Sequence, residues 1–284
     1  MYLEYFKLKE FPFRTSPDSR FLFLSDQVNE TFQKCLYMII NSIGPLYTSG
    51  PIGAGKTTLS GRLEEQLEQE LIQIPDPDEE GNFIDTQRYL VANLIIPPKL
   101  TVNSLLRMAL EEFKVPTDRS YSKSLEYLLA WLVMKHKIGV KPVLILDEAQ
   151  NLTPTHLKLL HFLLNYETNK EKLLQIVLFG QNELTRKIER FPEMKSRMYP
   201  ASLSAFNRID TEELIKFRWF VAGGGTAIPF TPEAIDEIFK VTLGLPREIV
   251  KLCDLSLLSA YSKQHDTVLP EDITSAAQEL HLIK

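Results

Sequence analysis

The feature that most constrains this chain is an eight-residue pattern of glycine, four residues, glycine, lysine and threonine, which runs from Gly50 to Thr57. Glycines at these positions allow backbone N–H groups to curl around phosphates, and a helix that follows points its positive end at the same charge. A buried strand is predicted at 45–48, before the loop, and a helix from about Thr57 to Leu71, after it. This order of strand, loop and helix favours a phosphate site over a glycine-rich turn that binds nothing.

We expect this loop to bind ATP together with Mg²⁺. The Lys56 ammonium should reach the β- and γ-phosphates, and the Thr57 hydroxyl should coordinate the metal ion. The predicted nucleotide-binding residues of the loop are Gly50, Gly53, Ala54, Gly55, Lys56, Thr57 and Thr58.

An acidic pair, Asp147 and Glu148, follows the apolar run at 143–146. Continuous apolar residues are typical of a parallel strand covered on both faces, and ligands bind where such strands end. Asp147 is expected to hold Mg²⁺ through water, and Glu148 to position and polarise the attacking water as a catalytic residue. Such a pair often only meets solvent, but its place about 90 residues after the loop indicates the second half of one site.

Two further polar residues are candidates for the site, and each also has an ordinary structural explanation. Gln181 follows the predicted strand 174–179 and is suited to hydrogen-bond the γ-phosphate or the lytic water; a polar residue that leaves a strand explains it equally well. Arg247 opens a predicted helix after Pro246 and would lie near the nucleotide when a lid closes. A helix-capping turn with a surface arginine is the alternative, and the phosphate-binding loop upstream favours the functional interpretation.

A basic cluster follows Gln181. Such a cluster is usually a solvated face, but in a ring of ATPase subunits one arginine reaches a neighbour's site and stabilises charge on the transferring phosphoryl group. We assign this catalytic role to Arg197, with Arg190 as the second choice. The cluster consists of Arg186, Arg190, Lys195 and Arg197.

Composition excludes several classes of protein. The net charge of −5 argues against a strongly basic nucleic-acid binder, so any DNA contact has to come from a local patch repeated around an oligomer.

Cys35 and Cys253 are expected to be buried reduced thiols rather than a disulfide or metal ligands. No apolar run approaches the ~20 residues of a membrane span, and the first residues lack a signal-peptide core, so we expect a cytoplasmic protein without a membrane contact.

Alternating strand and helix patterns argue for an α/β fold with a central parallel sheet up to about residue 206, and four helical stretches follow. We predict an aromatic-rich leader at 1–30 that packs on the ATPase core, a nucleotide-binding domain at 31–206 and a small helical lid domain at 207–284. Residues 64–85 hold nine acidic residues and no Lys or Arg. They are predicted to form a solvated, hairpin-like excursion, with an acidic contact surface as the alternative.

Taken together, the motifs resemble a branch of the AAA+ ATPases. This branch holds the transposition regulators of the TnsC and TniB kind and the related ExeA-type ATPases of the general secretion pathway. The similarity begins in the leader, at 5–13 and 16–25, and continues through the phosphate-binding loop. It includes the runs at 146–152, which begins Leu-Asp-Glu-Ala-Gln, and at 173–181, and it ends with the run at 244–254, which begins Gly-Leu-Pro-Arg.

The resemblance implies an AAA+ three-layer α/β domain with a helical lid, and it implies roles for individual residues. Lys56 and Thr57 match the Walker A lysine and threonine, and Asp147 and Glu148 match the Walker B pair. Gln181 matches the sensor-1 position and Arg247 the sensor-2 arginine. Phe11 and Phe13 look like the leader residues that border the adenine pocket.

For the transposition branch, the resemblance implies ATP-driven assembly into hexameric or heptameric rings or helical filaments around double-stranded DNA, without sequence preference. The assembly would recruit transposase together with a target-selecting protein. Lys99 and Thr101 are the first candidates for DNA contact, and Arg119 and Lys123 are the second. An ordinary exposed lysine explains Lys99 as well.

Three hypotheses about function share this nucleotide site. The first is an ATP-dependent regulator of DNA transposition, which we favour because the secretion relatives continue into a membrane span and a periplasmic domain and this chain ends at Lys284 with neither. The second is a secretion-type ATPase that acts on cell-wall or membrane partners. The third is an ATP-driven, protein-recruiting switch without nucleic acid, which duplex DNA binding would exclude.

Overall fold

The computed structural model describes residues 2–16, 18–76, 82–168 and 171–283. Within these ranges, five strands form a parallel sheet in the order β4-β5-β6-β1-β7, and two form a separate antiparallel hairpin. The strands are β1 (Leu46–Ser49), β2 (Leu71–Pro75), β3 (Phe83–Gln87), β4 (Tyr89–Ile95), β5 (Lys141–Asp147), β6 (Gln175–Gly180) and β7 (Tyr199–Ser202).

The helices account for most of the remaining described residues. They are α1 (Tyr2–Tyr5), α2 (Asp26–Ile40), α3 (Lys56–Glu68), α4 (Val102–Glu112), α5 (Tyr121–Lys137), α6 (Pro154–Leu164), α7 (Asn182–Glu189), α8 (Pro192–Lys195), α9 (Arg208–Val221), α10 (Pro232–Thr242), α11 (Pro246–Ser262) and α12 (Pro270–Glu279). The predicted α/β fold with a central parallel sheet and a helical C-terminal part is confirmed.

Contacts divide the chain into two compact units. One comprises Met1–Val28, Pro51–Thr58 and Leu203–Lys284, and the other comprises Asn29–Gly50 and Leu59–Ser202. The predicted boundaries after residues 30 and 206 remain predictions.

The sheet unit owes its core to the apolar runs that the sequence places in its strands. Every residue of β6 is buried, and so is every residue of β5 after Lys141, because helices cover both faces of the sheet. Leu144 and Leu146 of β5 share one buried cluster with Leu105 of α4 and Leu160 of α6. This packing fixes the carboxyl ends of β5 and β6 at one edge of the sheet.

The sequence analysis did not predict strand β7. It pairs with β1 at the sheet's edge, and the Tyr199 N–H donates to the Pro45 carbonyl at 2.9 Å. Its second residue is Pro200, which has no N–H to donate and is therefore tolerated only in edge strands. The four residues carry no apolar periodicity that would predict a strand.

The predicted excursion contains the β2–β3 hairpin. Helix α3 runs to Glu68, so the hairpin starts later than residue 64, and its strands pair from Leu71 opposite Gln87 to Pro75 opposite Phe83. Residues 77–81 lie outside the described residues.

The other unit contains helices α9–α12 and the leader, whose aromatic side chains contact these helices. Each pair joins a leader residue to a residue of the C-terminal part. They are Tyr2 with Asp254, Tyr5 with Tyr261, Phe6 with Trp219, Phe13 with Phe230, and Phe23 with Phe206. Packing of the leader on the ATPase core remains a prediction, whereas its contacts with the C-terminal helices are observed.

Two expectations from composition, on the cysteines and on membrane spans, can be compared with the structure. Cys35 and Cys253 are free and buried, and burial raises the pKa of the Cys35 thiol to about 12. Among the described residues, no helix combines the length and the hydropathy needed to cross a bilayer.

Candidate nucleotide-binding site

The phosphate-binding loop leaves the sheet at the carboxyl edge that β5 and β6 share. Strand β1 ends at Ser49, and the next residue, Gly50, donates its N–H to the carbonyl of Gly180 at 3.2 Å. Gly180 is the last residue of β6, so the loop starts beside the position from which Gln181 leaves the sheet.

Two glycines of the loop have backbone conformations that favour glycine. Gly53 has φ +82° and Gly55 has φ +92°, in the region where other residues are strained. Between them Ala54 is 3% exposed and donates its N–H to the Pro51 carbonyl at 3.3 Å. The loop is therefore curled as a phosphate-binding loop requires.

Lys56 begins helix α3 and folds back over the loop. Its ammonium donates to the Pro51 carbonyl at 2.8 Å, and the residue is 7% exposed. Thr57 and Thr58 follow in the first turn of α3 and are half-buried. The positive end of α3 and the Lys56 ammonium thus meet at this loop, which suits an anionic ligand.

Arg247 touches the loop directly through its backbone. Its N–H donates to the Gly53 carbonyl at 3.1 Å, and a Cβ built on Gly53 would lie 2.8 Å from the Arg247 Cβ. The Arg247 side chain is exposed. The predicted sensor-2 arginine therefore lies at the loop, as expected if it acts on the same ligand.

Phe13 and Phe11 differ in their surroundings. Phe13 is 2% exposed and lines a cavity of about 440 Å³, whereas Phe11 packs edge-on against Tyr2 with the Arg14 guanidinium over its ring. The cavity lies between the leader and α11 and is lined by Phe13, Arg14, Thr15, Ser16, Lys251, Asp254, Leu255 and Leu280.

Asp147 and Glu148 stand at the end of β5 with different exposure. Asp147 is 1% exposed, and its carboxylate accepts the Glu148 N–H at 2.8 Å. Glu148 is half-buried and has φ +56°, a left-handed conformation that is uncommon outside glycine. The two acidic residues therefore differ both in exposure and in backbone conformation.

Gln150 is a site residue that the sequence analysis did not identify. Its side-chain Nε2 donates to the Glu148 carboxylate, and its Oε1 accepts the N–H of Gln181 at 3.0 Å. The only signal in the sequence was its place in the run 146–150, because the contact with Gln181 joins residues 31 apart.

Gln181 is the N-cap residue of helix α7 and is half-buried. In the basic cluster that follows, Arg190 is exposed, whereas Arg197 is half-buried, and its buried Nη1 has no hydrogen-bond partner among the described residues. The choice of Arg197 over Arg190 for a neighbour's site remains a prediction.

The candidate DNA contacts form two separate groups along the chain. Lys99, with φ +62°, and Thr101, the N-cap of α4, stand before that helix, whereas Arg119 and Lys123 follow it, at the start of α5. Lys99, Arg119 and Lys123 are exposed. The Thr101 hydroxyl accepts the Ser104 N–H at 3.1 Å, so it already has a structural role.

The donor sets fit ATP and Mg²⁺. The curled loop and the Lys56 ammonium offer donors for phosphate oxygens, and Thr57 offers a hydroxyl oxygen for Mg²⁺. In the sheet unit, Asp147 offers a carboxylate oxygen, a hard ligand of the kind that Mg²⁺ takes.

A comparison with protein families matches residues 41–188 to the AAA domain family, which is slightly more than half of the chain. General secretion pathway protein A of Aeromonas hydrophila is 31% identical over 293 residues, covering 100% of this chain and 49% of the relative. The chain thus spans about half the length of that curated relative.

Several solved structures have the same fold at low sequence identity. Aeropyrum pernix ORC2 has a TM-score of 0.62 at 13% identity, over 93% of this chain and 72% of that chain. Drosophila ORC bound to DNA has a TM-score of 0.65 at 14% identity, over 89% and 60%. The Thermotoga maritima RuvB Holliday junction branch migration motor has a TM-score of 0.58 at 16% identity, over 95% and 74%.

The family match covers strand β1, the phosphate-binding loop, the acidic pair and strand β6 in one continuous segment. The chain therefore belongs to the AAA domain family and is an ATPase.

Proposed function

We propose that this chain is a secretion-type AAA ATPase, which uses ATP binding and hydrolysis to act on a protein partner of the general secretion pathway. The observation that carries this proposal is the extent of the 31% identity with general secretion pathway protein A, which covers the whole chain. A shared ATPase alone would explain similarity within residues 41–188. Similarity that also includes the leader and the C-terminal helices favours a cellular role shared by this chain and the secretion protein.

The nucleotide roles follow from the contacts of each residue. Lys56 is proposed to exchange its bond with the Pro51 carbonyl for phosphate oxygens, and Gly53 and Gly55 to present backbone N–H groups. Thr57 and Asp147 are proposed to hold Mg²⁺, which would neutralise charge on the phosphates. Glu148 is proposed to orient and polarise the attacking water, with Gln181 beside it at the end of β6.

The leader cavity is the proposed place for the base. Its volume of about 440 Å³ lies within the range of ligand pockets, and the buried Phe13 supplies an apolar wall. Phe11 does not line this cavity and would act only through its neighbours Tyr2 and Arg14.

A second copy of the chain is part of the proposal. Arg197 or Arg190 of one copy would complete the site of the next, so hydrolysis per subunit should rise with protein concentration. We expect alanine at the acting position to lower turnover by about 10³-fold or more without changing nucleotide affinity. The other arginine serves as the matched control.

The transposition hypothesis loses its main support. The reported relative is a secretion protein, and the length of this chain does not bear on the choice because it spans only half of that relative. Structures of DNA-associated proteins at 13–16% identity share the fold, and at that identity a fold does not identify a substrate. Duplex DNA, transposase and filaments are therefore not part of the proposed function.

A chimera tests the proposal. The matching half of the Aeromonas hydrophila relative is replaced with this chain, and protein export is measured in a strain that lacks the relative. We expect export to be restored by the wild-type chain and not by Lys56→Ala. A chimera that is stable and hydrolyses ATP but restores no export, while the chain binds duplex DNA only with an ATP analogue, contradicts the proposal and supports the DNA-binding alternative.

A further inference from the structure

Gln150 is the link between two elements of the nucleotide site. It lies in the 3₁₀ turn 149–151 that follows Glu148, and both ends of its side-chain amide are engaged. The Nε2 group donates to the Glu148 carboxylate, and Oε1 accepts the Gln181 N–H at 3.0 Å. One amide thus connects the end of β5 to the end of β6.

The chemistry of the two partners fixes the orientation of this amide. A carboxylate accepts hydrogen bonds and a backbone N–H donates one, so only one of the two possible orientations of the amide satisfies both. The Glu148 carboxylate therefore has a fixed neighbour on one of its oxygens. A hydrogen bond to an ionised group is also stronger than one between neutral groups.

The surroundings hold Gln150 in place. A Cβ on Gly180 would lie 3.1 Å from both the Gln150 backbone nitrogen and its Oε1, so the glutamine packs tightly on the end of β6. The Lys187 ammonium of α7 donates to the carbonyls of Gln150 and Leu152, the latter at 2.9 Å. The neighbouring Asn151 donates to the Ile96 carbonyl at 2.8 Å, which ties the same turn to the end of β4.

The Glu148 carboxylate depends on its surroundings. Its left-handed backbone costs free energy and persists only where the surrounding structure holds that conformation. The side chain leaves this backbone half-buried, and among the described hydrogen bonds its carboxylate is held by Gln150. Without that bond, the carboxylate would be free to take other rotamers.

We propose that Gln150 is a positioning residue for hydrolysis, which aims the Glu148 carboxylate by tying it to the end of β6. The inference rests on the proposed role of Glu148 as the group that orients the attacking water. The described side-chain bonds of Gln150 go to Glu148 and to the Gln181 N–H, so it is proposed to act through Glu148. Its loss should therefore reduce the turnover number and leave ATP binding intact.

The test measures steady-state ATP hydrolysis and the affinity for a fluorescent ATP analogue with Mg²⁺, using the full chain. Gln150→Met keeps the size of the side chain and removes both hydrogen bonds, and Gln150→Glu keeps the acceptor and removes the donor. Gln150→His retains one ring N–H donor and one acceptor nitrogen. Gln278→Met is the matched control, because it makes the same change at an exposed glutamine of α12.

We expect kcat to fall by about 10- to 100-fold in the Met and Glu variants, because small displacements of a catalytic group have effects of this size. KM and analogue affinity should stay within about twofold, His should recover a clear part of the lost rate, and Gln278→Met should keep the wild-type kcat. An unchanged kcat in Gln150→Met, or a His variant as slow as Met, overturns the inference. So does a joint loss of binding and turnover, which indicates a purely structural role.

Glu148→Gln separates this inference from the proposed function. If Glu148→Gln abolishes hydrolysis while the Gln150 variants turn over normally, the positioning role is wrong and the proposed site stands. If Glu148→Gln hydrolyses ATP at the wild-type rate, the assigned role of Glu148 is wrong and the inference fails with it.

Discussion

The Arg247 N–H donates to the carbonyl of Gly53 at 3.1 Å, so the start of helix α11 is bonded to the phosphate-binding loop. A side chain at position 53 would meet this contact directly, because its Cβ would lie 2.8 Å from the Arg247 Cβ. The loop conformation and the position of α11 are therefore linked through one small residue.

We expect Gly53→Ala to abolish ATP binding and to destabilise the protein by at least about 1 kcal/mol, because alanine is strained at φ +82° and collides with Arg247. Gly61→Ala is the matched control: Gly61 lies within α3, has open space around its Cα and should gain about 0.5–1 kcal/mol. Urea denaturation and titration with a fluorescent ATP analogue measure both effects. Normal nucleotide affinity in Gly53→Ala would show that this contact does not shape the site.

Gly180→Ala should slow hydrolysis without touching Glu148. The new methyl group would lie 3.1 Å from Gln150 Oε1 and 2.9 Å from a Leu184 methyl, so Gln150 has to move. We expect kcat to fall about tenfold with nucleotide affinity retained. In the double variant with Gln150→Met the two effects should not add, since both act on one interaction. Fully additive effects on kcat would mean that Gly180→Ala slows hydrolysis without disturbing the bond between Gln150 and Glu148.

Tyr2→Phe should loosen the attachment of the leader. The Tyr2 hydroxyl donates to the Asp254 carboxylate at 2.5 Å, and burial raises the pKa of Asp254 above its ordinary value. Loss of this donor should cost about 1–3 kcal/mol, because it leaves a part-buried carboxylate without its partner. Tyr5→Phe removes an exposed 3.3 Å bond to Asp266 and should reduce the stability much less than Tyr2→Phe does. Equal losses in denaturant midpoints would argue against a special role for Tyr2.

Asp272 is predicted to give the C-terminal helices a stability that depends on pH. Burial raises the pKa of this carboxyl, but hydrogen bonds from His265, Lys263, the Leu269 N–H and Ser259 outweigh it and leave the pKa below its ordinary value. A lowered carboxyl pKa stabilises the fold above the ordinary value near 3.9, and this contribution is lost as the pH falls through the folded value.

We therefore expect Asp272→Asn to reduce the free energy of unfolding at pH 5 to 7 by about 1–3 kcal/mol. The difference from wild type should narrow as the pH falls below about 4, because the carboxyl of the unfolded chain takes up its proton there and the native carboxylate follows at lower pH. Glu279→Gln, an exposed change at the end of α12, is the control. A constant difference across the whole pH range would contradict the assignment to Asp272 ionisation.

The sequence predicts the parts of this fold that rest on local pattern. The apolar runs of β5 and β6, the phosphate-binding loop and the four C-terminal helices each carry their own signal in consecutive residues. Strand β7 was missed because its pairing with β1 depends on a distant partner and its Pro200 argues against a strand.

The candidate site residues also divide into those with a local signal in the sequence and those that depend on distant contacts. Motif spacing predicts the places of Lys56, Asp147 and Arg247 in the chain, and their roles stay predictions. The proposed role of Gln150 depends on a left-handed turn at Glu148 and on a bond to a residue 31 positions away. Neither feature has a signature in single-sequence patterns, because glutamate carries no strong preference for that backbone conformation.

The measurement that tests the central claim most directly is steady-state ATP hydrolysis with nucleotide binding for the wild-type chain, Lys56→Ala and Glu148→Gln. The account predicts that Lys56→Ala loses nucleotide affinity and turnover together, and that Glu148→Gln binds ATP with near wild-type affinity but turns over at least about 10²-fold more slowly. Hydrolysis at the wild-type rate in both variants would contradict it, because the chain would then not use this site as an ATPase.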